Sequence, residues 1–304
     1  MESTWPENFS KSPGSRRLQP SNLKGTWCTI RTSLLDGPIF CHCIHILHHL
    51  LLLSLFLIAL LALIALAIYW LFFVTEGVYL GEKVVVWLYD LYAHHYDTIK
   101  DWDLQDEIEY LAQPFVALIG ERRRPPLILD VATGTGRLPL AVQLSGLLPD
   151  ARWVLLDASD NMMQVAKERL ASHDRYHFIH QSAQSLPFED AFFDVVTCLE
   201  ALEFMPDPIH ALDELIRVLR PGGVLLLTNR TGSGARWMPG RIWTRNQVFQ
   251  LLKSRGMTSI SIRPFLVDYE WVSAVKKGAF TSPGRAQDPL ALAKLRETAL
   301  DPLP

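Results

Sequence analysis

The stretch Leu127-Ile-Leu-Asp130-Val-Ala132-Thr-Gly134-Thr-Gly136-Arg-Leu-Pro139 decides the fold of this 304-residue chain. A short apolar run ends in an acidic residue, passes through a turn of small residues and enters a helix-like stretch from Leu138 to Leu147. Strand, tight loop and helix start, in that order, build a nucleotide site because small residues let backbone N–H groups approach a ligand closely. Taken alone, the loop is equally an ordinary strand-to-helix turn. The next strand, Trp153-Val-Leu-Leu-Asp157, tips the balance. It ends in a carboxylate about twenty residues past the loop, placed to accept hydrogen bonds from both hydroxyls of a ribose.

The loop also discriminates among nucleotides. A dinucleotide fingerprint wants a third glycine three residues after Gly136, for close helix–strand packing. That position is Pro139, and no lysine follows as a P-loop requires. The pattern resembles motif I of the class I S-adenosylmethionine-dependent methyltransferases, in which an acidic residue begins a loop of small residues and glycines. The resemblance continues in the family's order. Asp157-Ala158-Ser-Asp-Asn161-Met162-Met163 is similar to the acidic strand end followed by a helix start whose methionine packs on adenine. Gln181-Ser182-Ala183-Gln-Ser-Leu-Pro-Phe188 resembles the loop that holds the adenine edge, and Phe193-Asp-Val-Val196 the fourth strand. Arg217-Val-Leu-Arg-Pro221-Gly222-Gly223 resembles the turn before a fifth strand, Val224 to Thr228. Five ordered motifs between Tyr89 and Lys276 together resemble the methyltransferase type 11 group, whose members include small-molecule and quinone C-methylating enzymes.

The resemblance implies an α/β fold: a Rossmann-like seven-stranded methyltransferase sheet with helices on both faces. It implies S-adenosyl-L-methionine as cofactor, held by Asp130, Ala132, Thr133, Gly134, Gly136, Asp157, Ala158, Met162, Ser182 and Ala183. Two positions depart from the family. Ala132 stands where glycine is usual, and alanine is small enough for the cofactor still to fit. Ser182 stands where an acidic or amide residue usually accepts from the adenine amino group; serine can accept that bond with a weaker grip. Plainer readings stand beside these: Asp130 and Asp157 as helix caps, Met162, Phe188 and Phe193 as core, Pro221-Gly222-Gly223 as turn punctuation.

Methyl transfer from a sulfonium is an in-line displacement with an activated leaving group, so a protein mainly aligns nucleophile, methyl and sulfur. A general base is needed only where the acceptor must lose a proton. The catalytic residue is therefore not legible, and four side chains are candidates. His95 and Tyr96 lie in Tyr92-Ala-His-His-Tyr-Asp97, which resembles the Tyr-Asp segment covering the cofactor in relatives. Glu200 and Glu203 follow the fourth strand, at the sheet edge where open α/β folds bind ligands. Each is equally a surface, capping or salt-bridging residue.

A net charge of −3 leaves no electrostatic footprint for nucleic acid, and Arg122-Arg123-Arg124 reads as a solvated linker. The chain's apolar excess is local. Leu50–Val74 is 25 residues with no charge and one polar side chain, Ser54. As a helix it is about 37 Å long, against a hydrocarbon core of roughly 30 Å. Charge is absent over the longer stretch Gly37–Thr75, and Tyr69, Trp70, Phe72 and Phe73 form an aromatic belt at one end. A cleaved signal peptide has a shorter apolar core nearer the N-terminus, so this segment reads as a single membrane span and an anchor. Lys11, Arg16, Arg17 and Lys24 favour an inside N-terminal tail. A cytosolic cofactor demands the opposite, and that argument places the catalytic domain in the cytosol. Cys198 reads as a buried free thiol. Cys41-His42-Cys43 with His45, His48 and His49 matches no standard zinc spacing, so no metal is expected.

The expected organisation is a disordered polar tail (1–36), a membrane anchor (37–75), a helical connector or cap (76–125), the methyltransferase domain (126–278) and a flexible tail (279–304). The leading functional reading is a membrane-anchored methyltransferase acting on a small-molecule or lipid acceptor. Its competitors are a catalytically silent membrane protein keeping the fold as a binding module, and a nucleotide-binding oxidoreductase, which Pro139 disfavours.

Overall fold

The computed structural model describes residues 38–100, 102–120, 124–170 and 174–279. Its core is one seven-stranded sheet: β1 (Leu127–Val131), β2 (Arg152–Asp157), β3 (Tyr176–His180), β4 (Phe193–Cys198), β5 (Leu219–Arg230), β6 (Met257–Pro264) and β7 (Tyr269–Lys276). Their spatial order is β3-β2-β1-β4-β5-β7-β6. The first five run parallel, and β7 enters antiparallel between β5 and β6. The order reverses at β1, which puts a crevice at the carboxyl ends of β1, β2 and β4.

Parallel strands buried on both faces need apolar side chains at successive positions. Leu127, Leu129 and Val131 face one hydrophobic cluster, while Ile128 faces another. The first cluster takes the apolar stripes of two helices, Leu212 and Leu215 from Pro208–Val218 and Val248 and Leu252 from Arg245–Ser254. The second takes Phe115 and Ile119 from Gln113–Ile119 and Leu138 and Val142 from Arg137–Leu144, with Trp153 fully enclosed among them. Helices cover both faces as expected. β5 begins five residues before the expected Val224, because Pro221-Gly222-Gly223 is absorbed into the strand at a register shift against β4. Gly223 is required there: a Cβ would lie 2.8 Å from Arg220 O and 3.0 Å from Asp194 O.

The chain divides into two compact units between Ala65 and Leu66. The first contains most of helix α1 (Pro38–Tyr69), and His42–Val74 is long and apolar enough to cross a membrane. The helix begins twelve residues before the expected span, because nothing charged interrupts it after Asp36 and proline is tolerated at a first helical position. In the second unit the expected connector helix is not continuous. It breaks into α2 (Glu82–Tyr92), a short turn at Ala93–His95 and further short helical pieces up to Ile119, with Gly77 and Gly81 in left-handed backbone before α2. Arg124, from the expected solvated linker, donates instead to the buried Asp194 at 2.8 Å. Residues 1–36, Arg122, Arg123 and 280–304, for which a disordered tail, a solvated linker and a flexible tail are expected, lie outside the described residues.

Candidate functional site

A cleft of about 150 Å³ lies at the carboxyl edge of the sheet, walled by the loop after β1, the ends of β2 and β4, and α2. β1 delivers Asp130 to its floor. One oxygen accepts from Thr197 Oγ1 at 2.5 Å and the other from Thr133 Oγ1 at 2.7 Å. Burial pushes this carboxyl up to about 6, with the two threonine hydroxyls pulling the other way.

The loop turns through left-handed backbone at Ala132 (φ 55°), Gly134 (φ 56°) and Gly136 (φ 77°). A side chain is strained there, which accounts for the glycine usual at position 132 in the family this loop resembles. Gly134 and Gly136 divide the role expected of both. Gly134 lines the cleft, and a Cβ on it would meet nothing within 4 Å. Gly136 faces away: a Cβ would sit 2.9 Å from Leu170 Cδ1 and 3.4 Å from Ala166 Cβ. It is a packing glycine against the helix Asp160–Leu170.

β2 delivers Asp157, which accepts from the Gly134 N–H and the Ser159 N–H, each at 2.8 Å. Burial raises its pKa, and those N–H groups and the nearby His180 oppose the rise. A carboxylate has about four acceptor positions, so two remain after these bonds. Thr133, Ala158, Met162 and Ala183 also line the cleft, with Met162 buried at its wall.

Ser182 is not part of the wall. Its hydroxyl donates to Glu82, the first residue of α2, and accepts from the Gln184 N–H at 3.2 Å. Glu82 itself lines the cleft beside Gln181 and Ala183. A carboxylate from 100 residues earlier in the chain therefore stands beside position 182. Sequence reasoning missed it, because no local pattern links the two segments.

The four candidate bases separate. His95 is exposed and off the cleft. Tyr96 lines it, in ring contact with Tyr89 and Trp102 at centroid distances of 5.9 and 5.4 Å. Burial, then the carboxylates of Glu200 and Glu76, hold its hydroxyl protonated far above the usual range. Glu200 lines the cleft with φ at 51°, its N–H donating to Thr228 Oγ1 at 2.6 Å. Its carboxylate pairs with Arg137 at 2.5 Å and Lys100 at 3.6 Å. Arg137 is also gripped by Glu107 at 2.6 and 2.9 Å and lies over the Trp102 ring. Glu203 is fully enclosed behind the wall and accepts from the Tyr269 hydroxyl at 2.7 Å; burial raises its pKa. Cys198 is buried and free, and among the described residues no three His, Cys, Asp or Glu side chains converge as metal ligands.

This arrangement can hold a nucleoside by its ribose and adenine in a cleft also lined by the rings of Tyr89, Tyr96, Trp102 and Phe204. Comparison with known proteins agrees in class. Residues 129–227 match the family model for a methyltransferase domain. Over 100 residues the chain is 44% identical to a demethylmenaquinone methyltransferase of Clavibacter sepedonicus, covering 33% of this chain and 39% of that one. Over 104 residues it is 39% identical to one of Staphylococcus aureus, covering 34% and 43%. The chain thus spans about two fifths of the length of these relatives. Among solved structures, the [4+2]-cyclase SpnF superposes with a TM-score of 0.51 at 21% identity, over 66% of this chain and 97% of that one. Residues 129–227 therefore carry a methyltransferase domain, of the S-adenosylmethionine-dependent kind.

Proposed function

We propose that this protein is a membrane-anchored methyltransferase that moves the methyl group of S-adenosylmethionine onto a small lipophilic acceptor by in-line displacement. The observation that carries the reading is the lining of one cleft, which brings Asp157, Gly134 and Met162 together with the rings of Tyr89, Tyr96, Trp102 and Phe204. The names of the two bacterial relatives, which specify demethylmenaquinone, support an apolar ring compound as acceptor. In this reading Asp157 accepts from the ribose hydroxyls, and the open side of Gly134 leaves room for the cofactor against the backbone. Met162 and Ala183 flank the adenine, and Glu82 takes the adenine amino group in place of Ser182. When bound, the cofactor supplies an electrophilic methyl on a sulfonium. Glu200, tied to Arg137 and Lys100, holds the cap segment to the sheet edge rather than acting as a base. The segment His42–Val74 crosses the bilayer once, and residues 76–125 and 126–278 form cap and catalytic domain in the cytosol, where the cofactor is made.

The second reading is a silent binding module, since one fold hosts unrelated functions. Full-length protein in liposomes containing membrane lipid extract, given methyl-labelled S-adenosylmethionine, separates the two. We expect label in the solvent-extractable fraction. Label only in water-soluble products would refute the lipophilic acceptor, and calorimetric binding of S-adenosylhomocysteine without any transfer would favour the silent module.

A further inference from the structure

The segment leaving the apolar helix folds directly onto the helix that walls the cleft. Thr75 is buried, its hydroxyl donating to Leu71 O at 2.9 Å, and Trp70 stacks on Tyr79 with centroids 5.2 Å apart. Glu76, the first charged residue after the apolar stretch, accepts from the Tyr89 hydroxyl of α2 at 2.8 Å. A Cβ on Gly77 would lie 2.9 Å from Val84 and 3.1 Å from Leu88, so α2 packs on the next residue as well. Where the chain emerges from the span, α2 is already in contact with it.

α2 has two unlike faces. Glu82, Val85, Val86 and Tyr89 recur at helical spacing and line the cleft. On the opposite side Trp87 and Leu91, one turn apart, are 56% and 59% exposed, with Leu80 just before the helix 42% exposed and Lys83 exposed among them. An indole and an aliphatic chain in register, with a lysine able to snorkel, are what an interfacial helix presents to the headgroup boundary.

We propose that the outer face of α2 (Leu80, Trp87, Leu91, with Lys83) is seated in the interface of the same bilayer that His42–Val74 crosses. α2 then has lipid on one side and the cofactor cleft on the other, and an acceptor dissolved in the membrane reaches the aromatic wall beside Tyr89 without passing through bulk water. This deepens the proposed function and rests on its membrane-span reading.

The test places single nitroxide labels on full-length protein in phosphatidylcholine–phosphatidylglycerol liposomes. The four cysteines are replaced, and labels go on through Trp87→Cys, Leu91→Cys, Leu60→Cys inside the span, and Lys253→Cys on an exposed helix turn. Collision with oxygen against an aqueous nickel chelate is read for each. Labels at 87 and 91 should favour oxygen, as the label at 60 does, while the label at 253 favours nickel. Nickel-favouring labels at 87 and 91 beside an oxygen-favouring label at 60 would overturn the docking and leave the span standing. A nickel-favouring label at 60 would overturn the span and the docking together. Should the cysteine-free chain not fold, quenching by brominated lipid decides the matter: wild-type fluorescence should fall further than that of Trp87→Phe, and an equal fall overturns the proposal.

Discussion

Ala132 shows what a single methyl group costs in the wrong backbone region. At φ 55° an L-residue is strained by about 1–2 kcal/mol, and glycine is not. Ala132→Gly should raise the melting temperature by roughly 2–4 °C for about 1 kcal/mol in a domain of this size. Calorimetry will check it, and an unchanged or lower melting temperature would remove the strain argument. Asp130 makes a second prediction. Its carboxyl moves from the usual 3.8 to about 6 through burial. Above pH 6 it is charged in both states, and the fold carries the cost of burying it. As pH falls from 6 towards 3.8 the folded state binds the proton first, and that cost fades. The difference is on the order of 3 kcal/mol. Wild type should therefore gain stability relative to Asp130→Asn between pH 7 and 4 in urea titrations, and parallel curves would contradict the shift. Asp157 makes a third. Asp157→Ala removes an acceptor for the ribose hydroxyls, a loss of about 1.5–3 kcal/mol. S-adenosylhomocysteine affinity should fall about tenfold or more in a folded variant, and unchanged affinity would end the ribose assignment.

At the scale of elements, one loop separates ligand space from packing space. Gly134→Val is strained at φ 56° but meets no neighbouring atom, so it should abolish cofactor binding at a smaller loss of melting temperature than Gly136→Val. Gly136→Val drives into Leu170 and Ala166 and should cost stability first. Overpacking of this kind typically costs about 1–3 kcal/mol. Comparing thermal melts with binding isotherms for the pair checks the division; identical behaviour would show that the loop acts as one unit. Strand β4 carries the other decisive contact. Asp194 is buried, accepting from Arg220 at 2.5 Å, Arg124 at 2.8 Å and the Leu127 N–H at 2.9 Å. Asp194→Ala leaves a buried guanidinium unpaired, for which about 3–5 kcal/mol is expected. Its urea midpoint should drop sharply, and a wild-type midpoint would mean that Arg220 finds another partner.

For the whole molecule, 33 residues from His42 to Val74 form a helix able to cross a membrane. The protein should remain with pelleted membranes after alkaline carbonate washing and leave them only in detergent. A protease added to inside-out vesicles should reach the catalytic domain, while right-side-out vesicles protect it. Release by carbonate would refute the anchor, and the reverse protection pattern would refute the orientation.

Sequence alone determined where the parallel strands β1, β2 and β4 lie. β1, β2 and β4 fall on the expected residues, because continuous apolar runs and the strand-end acids Asp130 and Asp157 are written in local order. The apolar stretch was legible for the same reason: its signal is composition over consecutive residues. Tertiary structure decided what depends on residues far apart. It placed Glu82 against Ser182 across 100 positions and enclosed Glu203 with Tyr269 behind the wall. It also turned Gly136 from the cleft towards Leu170. None of these has a periodic or spacing signature, since each is fixed by how packed elements meet, and a side chain's partner across a fold is set by that meeting and not by its neighbours in the chain.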